Sequence, residues 1–110
     1  MGKKCTINPF VVIYGHGGVT IGDDVHIAAQ TVIVSANHSF DLLDVPISQQ
    51  SETRRGIHIE SNVWIGSGAR ILDGVSIGAG TVIASGSVVT KDLPGQVVAA
   101  GVPARVIKNR

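Results

Sequence analysis

Ile59, Ile65, Ile71, Ile77, Ile83 and Val89 recur at every sixth position without interruption. A small residue follows four of them, as Gly66, Gly78, Ala84 and Thr90, with Glu60 and Leu72 after the other two. A second row of small or branched residues stands four positions after each apolar one: Val63, Ala69, Val75, Thr81 and Ser87. The N-terminal half repeats both rows, as Ile21, Ile27, Ile33 and Val19, Val25, Thr31, extended backwards by Ile13 and Ile7. A period of six is neither that of a helix nor that of a long alternating strand. It requires short strands separated by tight corners, with one large inward side chain per face. Three such faces close a triangular coil of about 18 residues, and stacked coils make a parallel β-helix, an all-β solenoid.

Composition agrees with short strands and many corners. There are 13 Ile and 16 Val against four Leu, and β-branched side chains suit a pleated surface better than a helix. Gly occurs 14 times in 110 residues, about twice its usual frequency of roughly 7%. The length fits a single domain, 1–110, and a domain so small leaves apolar surface without an intramolecular partner, so self-association is expected. Nine basic and eight acidic residues leave a net charge of +1, which offers no footprint for nucleic acid. Cys5 alone forms no internal disulfide, and no secretory h-region or membrane-spanning apolar run is present. These features predict a soluble, cytoplasmic protein with no nucleic-acid or membrane partner.

The rhythm fails once conspicuously. The interval from Ile33 to Ile59 is four sixes plus two, so the chain leaves the coil between them. Residues 37–56 contain Pro46, the polar run Ser48-Gln49-Gln50-Ser51 and the pair Arg54-Arg55, which together predict a projecting loop. Loops beyond about 12 to 15 residues are usually functional or disordered, and His38 stands at the root of this one. An imidazole, with an ordinary pKa of about 6.5, is suited to take a proton and return it at neutral pH. The other use for such a histidine is to fasten the loop by hydrogen bonding.

The remaining candidates carry less. His16, in "YGHGG", is expected to face a corner, and His26 and His58 to be exposed between apolar rows, none with a chemical role. Asp41 and Asp44 read as solvated loop acids. Trp64, the one tryptophan, precedes the inward Ile65 and therefore points outward, towards another subunit or as the wall of a site. The corner Gly66-Ser67-Gly68 offers fixed backbone N–H groups of the kind an oxyanion needs, while a tight coil demands the same glycines.

The stretch "VWIGSGARILDGVSIGAGTVIASGSVVTKDLPGQVVAAGVPARVI", taken with "SANHSFD", resembles the hexapeptide-repeat acyltransferases, above all the sugar and xenobiotic O-acetyltransferases related to galactoside and maltose acetyltransferase. The resemblance covers nearly the whole chain. It implies a left-handed β-helix, a homotrimer with active sites between subunits, and acetyl-coenzyme A as donor. His38 of "ANHSFD" occupies the place of the family's catalytic histidine. Trp64, Ser67, Ser85, Lys91 and Arg105 fall where relatives line the coenzyme A groove. The implied chemistry is direct acetyl transfer to a hydroxyl of a small, sugar-like acceptor, with His38 as general base, no covalent acyl-enzyme and no metal. The coil begins almost at Thr6, where many sugar acetyltransferases carry a helical segment and extra coils that help bind acceptor.

Two other functions share this architecture. A zinc enzyme of the γ-carbonic-anhydrase type needs three histidine ligands, and that family's close histidine pair after the loop is missing. A non-catalytic β-helix serving as an assembly module needs no His38 at all.

Overall fold

The computed structural model describes residues 1–110. The first coil runs through β1 (Thr6–Ile7), β2 (Val12–Tyr14) and β3 (Val19–Ile21). The second contains β4 (His26–Ile27) and β5 (Val32–Val34), then β6 (Asn37–His38) and β7 (Glu52–Thr53), before it resumes at β8 (Ile57–Ile59). Next come β9 (Trp64–Ile65), β10 (Arg70–Ile71) and β11 (Ser76–Ile77), then β12 (Val82–Ile83) and β13 (Val88–Val89). The chain ends in the hairpin β14 (Val97–Gly101) and β15 (Ala104–Asn109).

Successive strands visit three parallel sheets in rotation. The first face stacks β1, β4, β9, β12 and β14, the second β2, β5, β10 and β13, and the third β3, β8 and β11, continued by a bridge from Ile77 to Leu93. Partners in the regular coils stand three hexads apart, as in Trp64 with Val82, Arg70 with Val88 and His58 with Ser76. This is the connectivity of a β-helix, and two antiparallel pairings depart from it, β15 with β14 and β6 with β7.

Register also measures the irregularities. Thr6 pairs with His26 and Val12 with Val32, each interval being three hexads plus two, so the first coil is longer than a regular one by two positions. The surplus lies in the corner from Ile13 to Ile21, a step of eight instead of six. Thr20 pairs with His58, an interval of six hexads plus two where a regular coil has three hexads. The difference, three hexads plus two, is inserted between β5 and β8 at the same corner of the triangle.

Both sequence rows are buried. Ile27, Ile33, Ile65, Ile71 and Ile77 are fully inaccessible, and Val63, Ala69, Val75, Thr81 and Ser87 are almost so. Each buried Ile contributes about 1.5–3 kcal/mol relative to an exposed one, which is why a chain of such short strands holds together. Ile7 and Ile13 belong to the same inward row on the first rung, where they keep 41% and 37% exposure. The row Gly68, Gly74, Gly80 and Gly86 sits at φ between +70° and +85°, a region that costs other residues about 1–2 kcal/mol. That corner conformation, recurring at every sixth position, accounts for much of the glycine content.

Buried polar groups are paired. Thr31 Oγ1 donates to the Gly66 carbonyl at 3.2 Å and Thr81 Oγ1 to that of Pro94 at 2.6 Å. No helix is long and apolar enough to cross a membrane.

Candidate active site

His38 and Glu52 face each other across the short antiparallel ladder β6–β7. The ladder is closed behind them by Ser39 N–H donating to the Ser51 carbonyl at 2.9 Å. Farther out, the Gln50 side chain ties the insertion to itself, donating to the carbonyls of Leu42 and Val45 at 2.9 and 2.8 Å and accepting from Leu42 N–H at 3.2 Å. Where the insertion returns to the coil, the buried carboxylate of Asp73 accepts from Arg55 N–H and Gly56 N–H, both at 2.8 Å. The insertion is thus pinned at its neck by a side chain from the next coil.

Glu52 Oε1 lies 3.9 Å from His38 Nε2, an electrostatic contact longer than a hydrogen bond. Its other oxygen accepts from Arg54 Nε and Nη2 at 3.2 and 2.9 Å. The Arg54 hydrogen bonds hold the Glu52 carboxyl below its ordinary range, with smaller lowering from the charges of Arg54, His38 and His16. Glu52 is therefore an anion facing an imidazole that is itself 62% exposed. An anion so placed steadies the positive charge that an imidazole gains when it takes up a proton.

His38 and Glu52 border a cavity of about 230 Å³ completed by Tyr14, His16, Val34 and Ala36. Glu52 and Arg54 had no motif to mark them, and His16, expected to face a corner without a role, stands in the cavity of His38. The signal that could have found His16 is the long step from Ile13 to Ile21, a second slip in the rhythm around a histidine. His26 and His58 are exposed on the outer faces of the coil, as expected.

The five residues that resemblance assigned to the donor do not line this cavity. Ser67 and Ser85 meet at one corner, Oγ to Oγ at 3.4 Å, where the chain passes from the first face to the second. Trp64 is 54% exposed on the outer side of the first face, between His26 and Val82, and borders a separate hollow with Asp24, Asn62 and Arg110. Arg105 is exposed in β15, which extends that first face. Lys91 follows β13 at the corner that carries the His38 insertion, two coils farther on. In a three-faced coil the corner between the second and third faces lies across from the first face, so Trp64 and His38 of one chain are turned away from each other. The glycine corner is likewise committed: Gly66 N–H donates to the Ile83 carbonyl at 2.8 Å and Gly68 N–H to that of Ala29 at 3.0 Å, so neither is free for an oxyanion. Nowhere in the chain do three or more His, Cys, Asp or Glu side chains converge to hold a metal ion.

A six-repeat bacterial transferase hexapeptide model matches residues 56–91. Galactoside O-acetyltransferase of Escherichia coli K12 is 43% identical over 114 residues, covering 99% of this chain and 53% of that protein. A maltose O-acetyltransferase from Clostridium difficile superposes with a TM-score of 0.83 at 33% identity, over 99% of this chain and 68% of the other. A hexapeptide-repeat acetyltransferase of Vibrio cholerae superposes with a TM-score of 0.92 at 37% identity, over 99% and 61%. In its complex with acetyl coenzyme A the values are 0.69 and 28%, over 99% and 69%. A stack of hexad coils interrupted by one histidine-bearing insertion defines a class, and the chain belongs to it: the hexapeptide-repeat acyltransferase family. The chain spans about half the length of the curated relatives it matches.

Proposed function

We propose that the protein is an acetyl-coenzyme A-dependent O-acetyltransferase that modifies a hydroxyl of a sugar-like acceptor, with His38 as general base. The observation that carries this is the His38–Glu52–Arg54 chain beside an open cavity. An alcohol is a weak nucleophile at neutral pH, and an imidazole backed by a fixed anion takes its proton as the thioester carbonyl is attacked. The same imidazole then returns the proton to the departing thiolate. Glu52 stabilises the imidazolium that exists between those two moments. The names of the relatives, which include galactoside and maltose O-acetyltransferases, support a sugar hydroxyl as acceptor.

The working form is a homotrimer of left-handed β-helices, from each of which the loop 37–56 projects. The separation of Trp64, Ser67, Ser85 and Arg105 from His38 within one chain supports a site completed by a neighbouring copy, whose first face would line the coenzyme A groove. Lys91 and Arg105 serve the phosphates of the nucleotide. Phe40, Leu42, Leu43 and Ile47 of the loop are largely exposed, Leu43 at 99%, and they supply apolar surface for such a contact.

Release of free thiol from acetyl-coenzyme A in the presence of methyl pyranosides tests the reading. The expected result is turnover by the native protein, a trimer by light scattering, and a His38→Ala variant that keeps its assembly and melting temperature but loses about 100- to 10,000-fold in turnover. A fully active monomer would sink the shared site, and a fully active His38→Ala variant would remove the assigned base.

A further inference from the structure

The corner that displays His16 is built with more care than a change of direction requires. The steps from Ile27 to Ile33 and from Ile65 to Ile71 turn a corner in six positions, whereas Ile13 to Ile21 takes eight. The extra length forms a closed turn, with Gly18 N–H donating to the Gly15 carbonyl at 3.0 Å and His16 at its tip. Ser35, fully buried, clamps that turn to the root of the His38 insertion. Its hydroxyl accepts from Gly17 N–H at 2.9 Å and donates to the Tyr14 carbonyl at 2.7 Å, and its own N–H donates to that carbonyl at 3.0 Å. A Cβ on Gly17 would collide with the Ser35 carbonyl, so only glycine permits the approach.

This clamp uses the backbone of Tyr14 and Gly17 and leaves the phenol and imidazole facing the cavity. Their ring centroids are 6.1 Å apart at an interplanar angle of 39°, and the Tyr14 residue is 50% exposed. His38 and Glu52 line the same cavity, and Val34 and Ala36 add aliphatic surface to it. Glu52 is already engaged by Arg54. What remains on offer is an aromatic face, a phenolic hydroxyl and one imidazole that can both donate and accept. A pyranose ring presents the complement, with an apolar C–H face and a rim of hydroxyls.

We propose that Tyr14 and His16 are the acceptor-recognition wall of the His38 cavity, with a pyranoside seated by its C–H face on Tyr14 and one ring hydroxyl on His16. The proposal rests on the acyl-transfer reading above. His16 binds and positions here, and His38 moves the proton.

Tyr14 is the only tyrosine, so its ring gives a single assignable set of proton NMR signals. Native protein titrated with methyl β-D-galactopyranoside or methyl α-D-glucopyranoside should show those signals moving with one of the two sugars, and not with glycerol. In thiol-release assays with that sugar, Tyr14→Ala and His16→Ala should each raise the acceptor KM about 10-fold, with kcat within about two-fold and the KM for acetyl-coenzyme A unchanged. Tyr14→Phe should retain most of the affinity, and His16→Ala should leave the acid limb of the kcat profile in place. Acetylation of a pyranoside without movement of the Tyr14 signals overturns the proposal, as does an unchanged acceptor KM in both alanine variants. Loss of the acid limb in His16→Ala would make His16 the base and overturn its positioning role. Movement of the Tyr14 signals without thiol release would sink the acyl-transfer reading and leave the sugar subsite standing, while neither signal would reject both.

Discussion

His38 and Glu52 are a cross-strand pair, Nε2 to Oε1 at 3.9 Å, on the two short strands of the ladder that closes the insertion. Their alignment depends on the neck of the insertion and not on the core, because neither side chain reaches it. A site of this kind can be disarmed without unfolding the coil. Glu52→Gln keeps shape and removes charge, so turnover should fall roughly 10-fold or more with the thermal melt unchanged. A melt that drops in step with activity would instead make the pair a structural pin.

Arg54 sets the ionisation of Glu52. The Glu52 carboxyl is lowered in the folded protein, so the pair's contribution to stability is present above the unfolded carboxyl's ordinary value and is lost as pH falls through the lowered one. Arg54→Ala should raise the Glu52 titration midpoint back towards that ordinary value, as read by NMR of the side-chain carboxyl. Because the pair is exposed to solvent, the melting temperature at neutral pH should barely respond.

Asp73 is the opposite case. It is 7% exposed and accepts two backbone N–H groups at the neck of the insertion. Asp73→Ala leaves both donors without their partner, at a cost of about 1.5–3 kcal/mol. Denaturant unfolding should report that loss, and the Arg55 and Gly56 amides should exchange faster with solvent. Turnover should fall too, since His38 loses its mooring.

The first rung should be softer than the coils behind it. Ile65 is fully buried and Ile13 keeps 37% exposure. Ile65→Ala should cost about 2–5 kcal/mol, and Ile13→Ala distinctly less, by the same denaturant titration. Equal losses would mean that the first rung is covered in solution.

If Lys91 and Arg105 meet donor phosphates, replacing either by Ala should weaken acetyl-coenzyme A by about 1.5–3 kcal/mol. A truncated pantetheine thioester, which lacks those phosphates, should be unaffected. Comparable losses on both donors would contradict the assignment.

The coil is legible in the sequence alone because its period is local. One inward Ile per strand and one small residue per corner recur at every sixth position, and each is demanded by the few atoms around it, as the burial of Ile65, Ala69 and Ile71 bears out. His38 stood out because it interrupts that period. Glu52 did not, since it lies far along the insertion in a stretch with no rhythm of its own, and only the antiparallel turn of the insertion sets it opposite the imidazole. Tyr14 and His16 reach the same cavity through register between coils. That register is the sum of every step and insertion, held by hydrogen bonds such as those of Ser35 to Tyr14 and Gly17. Side-chain size along the chain determines which residues point inward. The hydrogen-bonded stacking of one coil on the next determines which outward residues become neighbours, and the site is made of those.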